Sequence, residues 1–235
     1  MTVIKIAGLS IGIDNRYRHI EVQAKDYLTS DPALFTVSVS EAEIDEEREF
    51  SGTDYPRGYY ESLIAYRKIA EKLPDYDAFL FHGSVIELGE NAYIITANSG
   101  VGKTTHTRLW LSEFGGEADI VNGDKPILRF IDGVPYACGT PWQGKENYGK
   151  NVIRRLRGIA FLSRGEKNIA HRIEVDAAVI RFMKQIYIPK ALPLATSKTM
   201  ILADRMIRSV KLVHLECNMD PEAARVCRAA LTENE

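Results

Sequence analysis

Apolar and polar positions fall into blocks with two different periods. Residues 3–13, VIKIAGLSIGI, are apolar runs interrupted near Gly8, which predicts one or two short strands. Ile20, Ala24 and Leu28 lie four apart, the spacing of one helical face. In ALFTVSVS, Phe35, Val37 and Val39 alternate with polar residues and predict a strand. SEAEIDEEREF opens on a capping serine and is strongly acidic, the signature of an exposed helix or a solvated run. Over GYYESLIAYRKIAEKL, Tyr59, Leu63, Tyr66 and Ile69 share one helical face, with Leu73 following.

From residue 78 the texture changes. AFLFHGSVIELGENAYIITA predicts strand, turn and strand, with LGEN as the turn. A glycine-containing loop and a helix follow, then two strands across a polar break in ADIVNGDKPILRF. GVPYACGTPWQGKENYG predicts loop, and LRGIAFLSRG a strand with a basic exit. VDAAVIRFMKQIYI and TMILADRMIRSV predict helices, KLVHLECN a strand, and DPEAARVCRAALTE a last helix with Asp220 as N-cap and Pro221 at the first helical position. The pattern as a whole predicts an α/β protein. A boundary near residue 76 divides an N-terminal α/β extension, 1–76, from a nucleotide-binding core, 77–235.

Composition narrows the picture by exclusion. The formal net charge is -2, so no global field points to nucleic acid or an anionic membrane as partner. The three cysteines, Cys138, Cys217 and Cys227, lack the spacing of a zinc site or disulfide framework. No apolar run approaches the ~20 residues of a membrane span, and the N-terminus lacks a signal-peptide pattern, so a cytoplasmic location is expected.

The chemistry concentrates in YIITANSGVGKTTHTRLW. Ala97-Asn98-Ser99-Gly100-Val101-Gly102-Lys103-Thr104, followed by Thr105, fits the relaxed phosphate-loop pattern, with alanine at its first position. Gly100 and Gly102 can turn successive amides toward one anion, and the helix N-terminus adds free amides. Lys103 supplies a point charge for the terminal phosphates of a nucleotide triphosphate, and Thr104 a hydroxyl for magnesium. The metal needs a carboxylate, and Asp124 in DIVNGDKP stands one helix and one strand later. A strand lying beside the loop's own strand would bring it to the phosphates. The competing reading of NGDKP is a plain turn.

FHGSVIEL, SGVGKTTHT and IVNGDKP, in this order, resemble the HPr kinase/phosphorylase and ATP-type phosphoenolpyruvate carboxykinase superfamily, above all its small members that include kinases of peptide precursors. The likeness spans roughly residues 80–165. It implies a phosphate-loop core with a mixed sheet, and a kinase using ATP and Mg2+ to phosphorylate a hydroxyl, such as a serine of a peptide or protein. It also implies a role for His82, in the His82-Gly83 pair, near the acceptor. Where HPr kinases carry an acidic pair, this chain has Gly123-Asp124. One carboxylate then remains to hold metal, and the base is left to another group or to none, with His82 a candidate for the base or for a phosphate contact. The rival expectation is a non-catalytic nucleotide-binding regulatory module that has lost that carboxylate. Carboxykinase chemistry and a G-protein switch fit poorly: the chain offers no oxaloacetate clamp and no Asn-Lys-x-Asp segment.

On the substrate side, Lys145 and Lys150 are candidate contacts to phosphates or an acidic acceptor. Trp142 either stacks on a ligand or fills the core. Among Arg154, Arg155 and Arg157, one is a candidate cation for the transferring phosphoryl group. His106 is read as a packing or surface residue, and Arg108 as a contact to a phosphate or the partner of an acid, the second favoured. The acceptor (peptide, protein or small molecule) and a homo-oligomeric state stay open.

Overall fold

The computed structural model describes residues 1–98 and 100–233. Strands β1 (Thr2–Ile6) and β2 (Leu9–Asp14) form an antiparallel hairpin. Its turn residues Ala7 and Gly8 both have positive φ, 52° and 76°, the geometry whose twist suits a two-residue hairpin. After α1 (His19–Gln23), β3 (Phe35–Ser38) joins β2 in parallel. The four-residue spacing that predicted one helix through Leu28 holds only as far as Ala24. A 3₁₀ turn, Lys25–Tyr27, then brings Tyr27 into the core, and Leu28 is extended and exposed. Three residues per turn place i and i+3 on one face, which is why Tyr27 replaces Leu28.

Helix α2 (Glu41–Ser51) has the full capping box. Ser40 accepts from the Glu43 amide while Glu43 accepts from the Ser40 amide, and Gly52 closes the helix at φ 61°. Helix α3 (Arg57–Lys72) buries a wider face than its spacing predicted. Tyr60, Ile64, Ala65 and Ala70 are buried beside Tyr66 and Ile69, while Tyr59 and Leu63 are half-buried. The helix is packed by α1, α2 and β3 together, so one stripe does not describe it.

The main sheet holds β4 (Ala78–Leu80), β5 (Ser84–Leu88), β6 (Asn91–Thr96), β7 (Ala118–Asn122), β8 (Ile127–Ile131), β9 (Val134–Cys138), β10 (Ile153–Arg164), β11 (Ile169–Arg172) and β12 (Lys211–Cys217). Among the described residues its order is β4-β8-β9-β10-β6-β5-β7, with β12 beside β10 and β11 beside β12. Strand β10 organises it. One edge pairs in parallel with β6, and the other pairs antiparallel with β9 near Ile153 and then parallel with β12 from Gly158. The expected mixed-sheet α/β architecture is what the chain forms. Strand β9 lies where loop was expected. Asp132 and Gly133, at φ 49° and 81°, turn β8 back onto it, and Pro135 had masked its pattern.

Helices cover both faces of this sheet. Along β6, Ala92 and Ile94 pack in a cluster with Phe182 of α5 (Val175–Met183) and Met206 of α6 (Pro193–Ser209). Tyr93 and Ile95 pack with Trp110 of α4 (Lys103–Phe114) and Leu231 of α7 (Glu222–Thr232). Period-two alternation with both faces apolar is the mark of a strand buried on two sides. Helix α7 starts one residue later than expected. Pro221 is the N-cap, and the Asp220 carboxylate accepts from the Asn218 amide instead of capping the helix.

Candidate phosphate site

β6 runs into the glycine loop at its C-terminal end, and α4 leaves it. Gly100 and Gly102 have φ of 80° and 126°. A Cβ on either would meet nothing within 4 Å, so conformation and not space demands glycine there. Gly102 is the N-cap of α4, and among the described residues no side chain caps the first amides of that helix. Arg164, at the end of β10, donates to the carbonyls of Gly100 (2.5 Å) and Val101 (3.2 Å) and ties the loop to the sheet. Thr104 is half-buried and Thr105 exposed in the first turn of α4; Ser99 lies outside the described residues.

Three side chains from separate elements meet at the mouth of this loop. Lys103 Nζ is 3.2 Å from Asp124 Oδ1 and 3.3 Å from His82 Nε2, and His82 Nε2 is 3.2 Å from the same carboxylate oxygen. Asp124 sits in the connection from β7 to β8. The buried Asn122 side chain accepts from the amides of Asp124 (2.9 Å) and Lys125 (2.7 Å), which forms an Asx-type turn. NGDKP is therefore a turn, and that turn delivers Asp124 to Lys103. The strand leading to it does not lie beside β6 as expected: β5 intervenes. Burial alone would raise the Asp124 carboxyl, but His82, Lys103 and Lys125 outweigh it and hold it well below the usual carboxylate range. Burial pulls Lys103 below the ordinary lysine value, and Asp124 only partly offsets this.

His82 is clamped by one residue. Its backbone N–H donates to the Gln185 carbonyl at 2.7 Å, and its Nδ1 lies 3.0 Å from Gln185 Oε1. The Thr96 hydroxyl donates to the His82 carbonyl at 2.9 Å. The ring's tautomer decides its role: with Nε2–H it donates to Asp124, and with Nδ1–H given to Gln185 it keeps a lone pair on Nε2 for Lys103. Gln185 carried no sequence signal; it is 103 positions from its partner and reaches it only through the sheet.

Gly123 has a steric cause. A Cβ there would stand 2.9 Å from the Gln143 carbonyl oxygen, because the loop 139–150 folds onto this turn, and Gly123 donates its N–H to the Tyr148 carbonyl at 2.9 Å. The position that would carry a second carboxylate is closed by backbone. Of the loop's own candidates, Trp142 is buried, stacks on Tyr66 at 3.8 Å and donates to the Ser62 hydroxyl at 2.9 Å, so it belongs to the core. Lys150 pairs with Glu87 and Asp119, and Lys145 is exposed. Arg108 pairs with Glu146 at 2.6 Å. Arg154 pairs with Glu87 at 2.8 Å. Arg154, Arg155 and Arg157 lie toward the start of β10, which pairs with Asn91 and Ala92 at the far end of β6 from the glycine loop, so none is placed at the phosphates. His106 is buried and accepts from Trp110 Nε1 at 3.1 Å; burial lowers it to about 4.

Among the described residues no group of three or more His, Cys, Asp or Glu side chains could hold a metal by itself. No helix among them is long and apolar enough to cross a membrane.

Fold and site together define a mixed-sheet α/β protein with a strand–glycine loop–helix unit and a Lys–His–Asp cluster at its mouth. No family model matches the chain, and no curated protein does. Among solved structures it is similar to the HPr(Ser) kinase/phosphatase from Coxiella burnetii, at 10% identity and a TM-score of 0.36, over 63% of this chain and 93% of that one.

Proposed function

We propose that the protein binds ATP with Mg2+ and transfers the terminal phosphoryl group to a hydroxyl. One observation carries this: Lys103, Asp124 and His82 converge within 3.3 Å where a glycine loop enters a helix. The loop amides and the Lys103 ammonium hold the polyphosphate. Lys103 is drawn down by burial, and among the described residues its side-chain hydrogen bonds run to Asp124 and His82, which an arriving anion takes over. Thr104 and Asp124 are the residues that would hold magnesium. They fit that ion, because Asp124 stays ionised and Mg2+ needs only one or two protein oxygens beside phosphate and water. The ion, when bound, neutralises charge on the phosphates.

His82 serves as the base. As the acceptor oxygen bonds to the γ-phosphorus and the bond to the ADP oxygen breaks, the hydroxyl proton moves to His82 Nε2. Gln185 holds the opposite ring nitrogen, and Asp124 stabilises the imidazolium. A second reading, a nucleotide-binding regulatory module without turnover, is favoured by Gly123, where no carboxylate fits. Measuring ATP consumption by the pure protein, with and without serine peptides and small hydroxyl compounds, separates the two. Acceptor-stimulated ADP release that is lost in Asp124→Asn supports the kinase. Nucleotide binding without release of ADP supports the module.

A further inference from the structure

Beside the phosphate loop lies a second feature that the nucleotide does not explain. A cavity of ≈ 190 Å³ opens at the C-terminal ends of β6, β10 and β12. Asn98 of the glycine loop forms one wall. Another is Gln185, the residue that clamps His82, so the cavity is one side chain away from the proposed base. Its remaining polar lining is Thr96, Ser163, His214 and Arg181, and no carboxylate is among the lining residues. Arg181 enters no ion pair among the described residues. Burial, and after it the Arg181 guanidinium and His171, lower the affinity of His214 for protons, with Glu216 opposing them. Ser163 and His214 are hydrogen-bonded to each other at 2.9 Å. The cavity therefore presents a solvent-exposed guanidinium at its edge, and hydroxyl and imidazole groups against apolar walls of Phe161 and Leu162. A lone guanidinium without a protein anion is the standard partner for a carboxylate or phosphate.

We infer that this cavity is the acceptor subsite and that it takes a small hydroxyl-bearing oxyanion, its charge on Arg181 and its hydroxyl turned past Gln185 toward His82. The size suits a small molecule, since drug-sized ligands need about 300 Å³ or more. The inference rests on the kinase reading for the direction of the hydroxyl, but the binding of the oxyanion does not. Arg181 is a specificity residue here, and Gln185 positions His82.

The test uses the full chain and ligand-observed NMR with three probes: D-glycerate and L-serine as carboxylates, and glycerol 3-phosphate as a phosphate. Saturable binding of a probe is expected in the wild type. It should weaken at least about tenfold in Arg181→Gln, as loss of one charge-assisted pair implies, and persist in Lys103→Ala. Preference among the probes tells a carboxylate ligand from a phosphate one. Retained probe binding in a protein that fails to bind ATP would sink the kinase reading and leave the oxyanion site standing. The inference is overturned if none of the probes binds the wild type, whether or not it binds ATP. It is equally overturned if Arg181→Gln changes nothing, or if only serine-containing peptides are phosphorylated.

Discussion

At the scale of single residues, Lys103, Asp124 and His82 form the mouth of the glycine loop. Lys103→Ala removes the ammonium from a site where it is 13% exposed, and should abolish nucleotide-dependent turnover while the melting temperature stays near that of the wild type. Asp124 adds a pH dependence with a definite sign. Its folded-state pKa lies below its ordinary value of 3.8, so its contribution to stability is fully present above that value. That contribution is lost as pH falls further toward the lowered pKa. Denaturant midpoints measured across pH 2–5 should fall more steeply in the wild type than in Asp124→Asn, and parallel curves would contradict the pairing. Gly123→Asp should not restore a second carboxylate. With the Gln143 carbonyl 2.9 Å from the new Cβ, the variant should lose about 1–3 kcal/mol and gain no activity. Sequence pattern exposed Lys103 and Asp124 because each follows a strand at a recognisable turn. Gln185, Arg181 and His214 gave no such signal, since only the sheet brings them to the loop.

At the scale of elements, β6, the glycine loop and α4 form locally and were legible. The apolar run of β6 reads as a strand, and the glycines after it mark the turn into α4. Strand β9 and the start of α7 were not legible, because Pro135 and Pro221 each fit two local structures and their neighbours decide. Within α4, His106 is buried against Trp110, and its pKa falls from 6.5 to about 4. The unfolded chain therefore binds a proton that the folded chain refuses. Stability should fall as pH drops from 6.5 toward about 4, and this part of the fall should vanish in His106→Gln. The loop 139–150 is anchored at Trp142, stacked on Tyr66. Trp142→Ala should cost about 3–5 kcal/mol in chemical denaturation and loosen the cover over Asp124 as well.

At the scale of the whole molecule, the N-terminal sheet and the loop share a core. Ile4, Ile11 and Tyr66 cluster with Ile127, Cys138 and Trp142. Removing residues 1–76 would bare Trp142 and its neighbours. The shortened chain should aggregate or melt well below the full one, and a soluble fragment with unchanged ATP affinity would show the two parts to be independent. In the kinase reading, the bend between β6 and α4 receives a nucleotide's phosphates. Isothermal titration of the pure protein with a non-hydrolysable ATP analogue and Mg2+ asks this directly. One saturable site is expected, weakened about 100-fold or more in Lys103→Ala, since a buried ammonium contacts the phosphates. Absence of saturable binding, or equal affinity in Lys103→Ala, would contradict the account.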